Sequence, residues 1–343
     1  MSENVQKTLR DSAALRWLAL ILLAGAMFCS YIFMDILSPI KDLMWDTKGW
    51  DSTAFGTMQG SETFLNVFVF FLIFAGIILD KMGVRFTAIL SGAVMLVGAT
   101  INWYALTDMF AGSNLEVWFN EHLNYIPGFD ELGVTPFYKG MPASAKFSAI
   151  GFMIFGCGVE MAGITVSRGI VKWFKGREMA LAMGSEMALA RLGVATCMIF
   201  SPMFARLGGE VSVSRSVAFG VVLLMIALIM FIVYAFMDKK LDSQTGEAEE
   251  KDDPFKLSDL GKILTDSGFW LVALLCVLYY SAIFPFQKYA VNMLQCNLVF
   301  HQVDPSSIWA SNTITIIQYV IMLVVAACAF ASNFSKNKVQ NTV

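Results

Sequence analysis

The chain has 343 residues, of which 57% are hydrophobic and only 15% are charged, and its mean hydropathy is +0.63. Because soluble domains carry about 25% charged residues, this composition excludes a water-soluble globule, a disordered chain and a disulfide-stapled scaffold. The net charge of −3 offers no basic surface for nucleic acid. The apolar residues fall in long runs, which indicates a polytopic membrane protein whose surroundings are the lipid bilayer.

Eight apolar runs are each long enough to cross about 30 Å of hydrocarbon as a helix. Basic residues precede the first run and no small-residue cleavage site follows it, so we expect an uncleaved signal anchor. Most of the 24 Lys and Arg residues lie in segments on the same side of the membrane as the N-terminus, which predicts a cytoplasmic N-terminus. The expected location is a bacterial inner membrane. The predicted spans are residues 15–40, 55–79, 86–106, 146–170, 179–204, 216–237, 269–294 and 308–331.

Two long polar segments interrupt the series of spans. Residues 108–145 are acidic and contain prolines, which predicts an irregular extracytoplasmic loop. Residues 238–266 are rich in charge and are predicted to form a cytoplasmic linker between two units. The predicted organisation is a tail at 1–14, a six-helix bundle at 15–237, the linker at 238–266, a two-helix unit at 267–331 and a tail at 332–343.

The sequence contains no recognisable cofactor or metal motif. The 6 cysteines are scattered through or beside the apolar runs, and His122 and His301 lie far apart. We therefore interpret the cysteines as small packing residues and predict no metal and no cofactor. An integral membrane enzyme is disfavoured, because neither HExxH nor GxSxG occurs.

Two short segments on the predicted cytoplasmic side carry a family resemblance. In GIILDKMGVRF, Gly76 and Gly83 permit a tight reversal and close helix approach, while Asp80 and Arg85 remain in water. The segment 168–184, RGIVKWFKGREMALAMG, taken alone is equally a basic loop with an interfacial tryptophan. Together they resemble the loops of the major facilitator superfamily, which implies two six-helix halves around a cavity and transport by alternating access.

Within that superfamily, three features are similar to the branch that contains the lysosomal dipeptide uniporter and its bacterial relatives. They are YIFMDILSP in the first span, YYSAIFPFQKYA in the seventh, and the pair Glu160 and Arg191. In that branch, an acidic residue on the fourth helix and an arginine on the fifth bind the substrate. The resemblance therefore implies that Glu160 holds an ammonium group and Arg191 a carboxylate.

Glu160 and Arg191 also stand out without the resemblance, because each lies near the middle of a span and adjacent spans run antiparallel. Charges at this depth are costly unless they are paired or face a wet cavity. Two interpretations remain open at this point. The residues form either a structural ion pair that locks two helices or a substrate site at the membrane midplane.

Other polar side chains in the spans are secondary candidates. Asp35, with Tyr31 one turn earlier on the same face, could bind an amino group or a proton, or lie at the membrane interface. Glu62 and Glu186 could bind a proton or act at a gate, or be merely hydrated. Pro285 is expected to kink the seventh span. Cavity-lining candidates near that kink are Tyr279, Tyr280 and Gln287.

The resemblance implies twelve helices, whereas this sequence provides eight, and residues 333–343 contain no second copy of the glycine and aspartate loop. A truncated product is expected, with a genuine eight-helix protein as the alternative. The leading function is a carrier of a small organic solute, such as a dipeptide or an amino acid. The alternatives are a nitrate or carboxylate porter, with Arg191 as anion ligand, and a non-functional remnant. Coupling to protons stays open.

Overall fold

The computed structural model describes residues 8–123, 137–138, 140–245, 261, 264–297 and the single positions 320, 323, 324 and 327. The described residues form helices joined by turns, with no strand among them, and they contain 6 helices long and apolar enough to cross a membrane. The all-helical fold class is therefore confirmed. The eighth predicted span lies almost wholly outside the described residues. The helices are α1 (Ala13–Met34), α2 (Lys41–Lys48), α3 (Ser52–Phe68), α4 (Phe71–Leu106), α5 (Asn114–His122), α6 (Ala143–Trp173), α7 (Met179–Ala205), α8 (Val213–Thr245) and α9 (Ser267–Asn297).

The second and third predicted spans are divided differently in the structure. Helix α3 ends at Phe68, the chain turns at Phe70 with a φ of 56°, and α4 then runs to Leu106. Helix α4 passes through Gly83, whose φ of 79° and ψ of 169° kink it inside the predicted loop. Because glycine adopts positive φ without steric cost, one residue changes the helix direction and no separate loop is needed.

The core lies between α1, α4, α6, α7 and α8. Helix α6 packs along α4 and α3, while α1 packs along α7 and α8. Helix α3 approaches α6 closely at Gly156, where an added Cβ would overlap the backbone carbonyl of Glu62. This approach fixes the position of α3, and with it the position of the Glu62 side chain. Cys29, Cys157 and Cys197 are buried in the bundle as free thiols.

Large apolar side chains remain exposed on the outside of the helices. Val222 and Ile229 on α8 and Leu271 on α9 are each more than half exposed. Such a surface is costly in water and is expected where helices face lipid hydrocarbon.

The two polar segments also differ from the sequence-based expectation. The loop after α4 contains α5, which is capped by the Ser113 hydroxyl and packs through Phe119 against Phe147 of α6. Helix α8 continues to Thr245, well past the predicted start of the linker at residue 238. The reason is that Asp238 is fully buried and hydrogen-bonded, so its charge does not end the helix.

Candidate functional site

The first element of the site is the point where α1 ends. Pro39 has no backbone N–H to donate to the Asp35 carbonyl four residues earlier, so the helix cannot continue. The Ser38 N–H bonds the Asp35 carbonyl instead, over 2.9 Å. The Met34 carbonyl, which Ser38 would have satisfied in a continuous helix, is thereby released. The C-terminal end of α1 therefore leaves polar backbone groups among apolar helices. We term this end of the bundle, opposite the N-terminus, the distal end.

Buried charges gather around this helix end. The Lys288 Nζ lies 2.7 Å from Asp35 Oδ1 and 3.9 Å from Glu62 Oε2, and it donates to the Met34 carbonyl over 3.1 Å. The Gln287 amide donates to the other Asp35 oxygen over 3.2 Å. Asp35 is 1% exposed and Glu62 is 7% exposed. These contacts form a charged cluster that joins α9 to α3 and to the end of α1.

Lys288 was not among the residues predicted to bind substrate. Its signal was a single lysine inside an apolar run, three residues after Pro285. Intramembrane lysines are expensive unless they meet an acidic partner, but no sequence spacing identifies a partner more than 250 residues away. Tyr289, the next residue, was also missed. Its ring packs edge-on against Phe55 at 6.0 Å.

Arg191 and Glu160 occupy the second part of the site. The Arg191 guanidinium lies 5.7 Å from the centre of the Tyr31 ring, and it is exposed. Glu160 is partly buried. Tyr31 lies within electrostatic range of Arg191, Glu160, Glu186 and Glu62. In the part of the chain that the structure describes, Arg191 and Glu160 form no ion pair with each other.

Glu62 connects the two groups of charges. It interacts electrostatically with Lys288 and Asp35 on one side and with Glu160 on the other. Tyr31 precedes Asp35 by four residues, which is about 6 Å along the helix axis. The site therefore extends from the middle of the bundle to the end of α1, and its acidic side chains outnumber its basic ones. A surplus of carboxylates favours cationic groups at such a site.

The remaining predicted lining residues lie elsewhere. Tyr279 and Tyr280 are 57% and 40% exposed, and Tyr280 stacks on Phe284 at 4.9 Å. They precede Lys288 by nine and eight residues, which places them about 12–14 Å away along the helix. Of the predicted residues on α9, only Gln287 contacts the charged cluster in the described structure.

The motif residues lie at the N-terminal end of the bundle, far from this cluster along the helices. Asp80 accepts a hydrogen bond from Arg168 of α6 over 2.5 Å. Arg85 pairs with Asp242 of α8 over 2.9 Å. Gly83 kinks α4, but an added Cβ at Gly76 would meet nothing within 4 Å. The expected close helix approach is therefore not seen at Gly76.

A buried ion pair lies beside the motif. The Lys172 Nζ is 2.7 Å from Asp238 Oδ2, and the other Asp238 oxygen accepts a hydrogen bond from the Trp173 indole over 3.0 Å. Asp238 is fully buried, and Tyr234 contacts it from one turn earlier on α8. The pair ties the C-terminal ends of α6 and α8 together.

Outside the spans, at the distal end, burial and the nearby Asp51 carboxylate raise the pKa of Tyr138 well above its usual value.

Comparisons with known proteins agree with this architecture. Residues 23–340 match the family model described as Major Facilitator Superfamily. A protein named lysosomal dipeptide transporter MFSD1 from Homo sapiens is 24% identical over 280 residues, covering 79% of this chain and 52% of that protein. Its counterpart from Danio rerio is 30% identical over 145 residues, covering 40% of this chain and 31% of that protein. The chain thus spans about half or less of the curated relatives it matches. No solved structure matches it.

Proposed function

The chain belongs to the Major Facilitator Superfamily, and from that premise we propose that it carries a small zwitterionic organic solute, of the dipeptide or amino acid class, across the membrane by alternating access. The resemblance found in the loop segments is confirmed by the family match, and the chain is an integral multi-pass membrane protein. The curated relatives are named as dipeptide transporters, which supports this substrate class for the present chain.

The observation that carries the proposal is the state of Arg191. Among the described residues, this arginine has a tyrosine ring as its neighbour and no carboxylate within ion-pair distance. A guanidinium presents its donors in a planar fork that matches a carboxylate, so an exposed arginine on a membrane-spanning helix, with no acidic partner among the described residues, suits an anionic ligand group. Glu160 similarly has no basic partner among the described residues. The two side chains can therefore bind the opposite ends of one zwitterion.

The structural alternative, in which Glu160 and Arg191 lock two helices as an ion pair, finds no support in the described contacts. The anion-porter alternative uses the same arginine. It is disfavoured by the surplus of carboxylates around Tyr31, because the field of these groups repels a ligand that carries negative charge alone. Nitrate and carboxylates therefore serve as the comparison ligands.

Uptake into proteoliposomes tests the proposal directly. The purified chain is reconstituted, and entry of a labelled dipeptide, an amino acid, nitrate and a dicarboxylate is measured against empty liposomes. We expect saturable entry of the zwitterions and none of the anions. Saturable nitrate entry without dipeptide entry would replace this proposal with the anion porter. Repeating the zwitterion assay with and without a proton gradient tests proton coupling.

The orientation is part of the proposal. Arg16, Arg168 and Lys172 lie at the end of the bundle that carries the N-terminus, and basic residues flanking spans favour the cytoplasmic side. We expect the N-terminus in the cytoplasm and the Lys288 cluster toward the opposite face. Protease access to an N-terminal tag, measured on intact and opened vesicles, tests this arrangement.

A further inference from the structure

The broken end of α1 has the chemistry of a cation site. The last carbonyls of a helix carry partial negative charge, and here the Met34 carbonyl is released from the helix. Asp35 adds a carboxylate at the same point, and Glu62 adds a second from α3. All of these oxygens belong to α1 and α3, whereas Lys288, the cation that contacts them among the described residues, comes from α9.

Lys288 is bound as a ligand would be. Its ammonium makes short contacts with the Asp35 carboxylate and the Met34 carbonyl, at 2.7 and 3.1 Å. The third acceptor, Glu62, is 3.9 Å away, which is an ion pair but too far for a hydrogen bond. The Glu62 carboxylate therefore pairs with the Lys288 ammonium but accepts no hydrogen bond from it.

Gln59 gives a second, independent indication of a ligand. It precedes Glu62 by three residues on the same face of α3 and is 7% exposed. Its amide nitrogen donates to the Ser38 hydroxyl, which in turn contacts Asp35 Oδ1. Its carbonyl oxygen is buried and accepts no hydrogen bond from the described residues. Buried acceptors are seldom left unsatisfied, because each costs free energy when it loses water.

We propose that the Met34 carbonyl, Asp35, Gln59 and Glu62 form a binding site for a primary ammonium group, and that Lys288 is its tethered occupant in this conformation. When α9 withdraws from the end of α1, the amino group of an arriving solute takes the place of the lysine. This inference deepens the proposed carrier function, since it adds a second position for an amino group beyond Glu160.

The acceptors at this helix end already hold an ammonium group. The Lys288 contacts of 2.7 and 3.1 Å are typical N–H···O distances. A primary ammonium also has three donors, which can serve a carbonyl and carboxylates together. The occupant exchange provides a reason for two buried acids at a helix end: they stabilise a positive charge whether it comes from the chain or from a solute.

Chemical rescue tests the site without any transport measurement. Lys288→Ala leaves a cavity where the lysine side chain was, while Asp35 and Glu62 remain in place. We expect the purified variant to unfold at a lower temperature than the parent, and ethylammonium to raise its unfolding temperature saturably. Tetramethylammonium, which has no N–H donor, and Na⁺ should not reproduce the effect at matched ionic strength. Ethylammonium should bind at least tenfold more weakly to Lys288→Ala/Asp35→Asn.

The matched control is Lys41→Ala, because Lys41 also lies near α9 at the distal end but bonds the Ser52 hydroxyl. That variant should show no ethylammonium effect. If Lys288→Ala is recovered folded only when ethylammonium is present during purification, the site is supported. Lys288→Met, which retains the apolar stem, is the second variant if alanine does not fold, and its rescue is tested with the ammonium ion in place of ethylammonium. Absence of rescue in both, or equal rescue by Na⁺ or in the double variant, would overturn the inference.

The outcome separates this inference from the proposed function. Thermal unfolding does not depend on transport, so a chain that carries no zwitterion can still show the rescue. A failed rescue would remove the second amino-group position and leave the assignment of Arg191 and Glu160 untouched.

Discussion

Replacement of Arg191 by methionine separates a ligand-binding arginine from a structural one. The change removes the guanidinium but keeps a long apolar side chain. If Arg191 holds the substrate carboxylate, the variant loses a charge-assisted hydrogen bond, which contributes about 1.5–3 kcal/mol. At about 1.4 kcal/mol per factor of ten, the dissociation constant of a dipeptide should rise about 10- to 150-fold.

The same structure predicts little loss of stability. Arg191 is exposed, and the contact recorded for it is the Tyr31 ring at 5.7 Å. A cation–π contact at an exposed site is worth about 0.5–1 kcal/mol. In a chain of this size, that corresponds to a fall of only a few degrees in the unfolding temperature, on the scale of about 2–4 °C per kcal/mol.

Calorimetric titration of the purified protein measures the effect with two ligands, a dipeptide and its C-terminal amide. The parent should prefer the free carboxylate, and Arg191→Met should bind both ligands with similar affinity. The preference of Arg191→Lys for the free carboxylate should lie between those of the parent and of Arg191→Met, because lysine keeps the charge but lacks the planar fork. Arg206→Met, an exposed arginine just beyond the end of α7, is the control. Equal losses for both ligands, or a fall in unfolding temperature well beyond a few degrees, would refute the reasoning.

Three further variants have defined outcomes. Glu160→Gln should weaken binding of a dipeptide about tenfold but leave its N-acetylated form unchanged, since only the free amine gains from the carboxylate. Lys172→Met should lower the free energy of unfolding by about 3–5 kcal/mol in chemical denaturation, because the fully buried Asp238 loses its 2.7 Å partner. Gly156→Ala should cost about 1–3 kcal/mol or more, because its Cβ would overlap the Glu62 carbonyl and push α3 away from α6.

The controls for these variants lie on the same elements. Lys239→Met changes an exposed lysine on α8, next to Asp238, and should alter stability by less than about 0.5 kcal/mol. An added Cβ at Gly163 would meet nothing within 4 Å, so Gly163→Ala should be neutral or stabilising. If Gly156→Ala matched Gly163→Ala, the close approach at Glu62 would be wrong. If Glu160→Gln weakened both ligands equally, its carboxylate would not be the amine partner.

Much of the membrane architecture could be predicted from local sequence. Long apolar runs specify helices in a bilayer because every backbone polar group must be satisfied within the segment. The loop containing Asp80 and Arg85 indicated the family, and the family match confirms it. The break at Phe70 was not predicted, because the residues around it are as apolar as the helices on either side.

The charged site shows where local pattern stops being informative. Asp35 and Glu62 were identified as candidates because charges in apolar runs are rare and costly. Their partner Lys288 lies more than 250 residues from Asp35, while the aromatic Tyr279 and Tyr280 stay outside the cluster. A helix that is apolar on all sides gives no periodicity from which its facing side can be deduced.

Sequence by itself determined that this chain crosses a bilayer repeatedly, and it identified the few charged side chains that need polar partners there. Tertiary structure decided the partner of each charged side chain. Asp35 pairs with a lysine from α9, whereas Arg191 lies near the Tyr31 ring and forms no ion pair with Glu160 in the described structure. The physical reason is that hydrophobicity sets how deep a residue lies, whereas helix rotation and close packing, as at Gly156, set which way it faces.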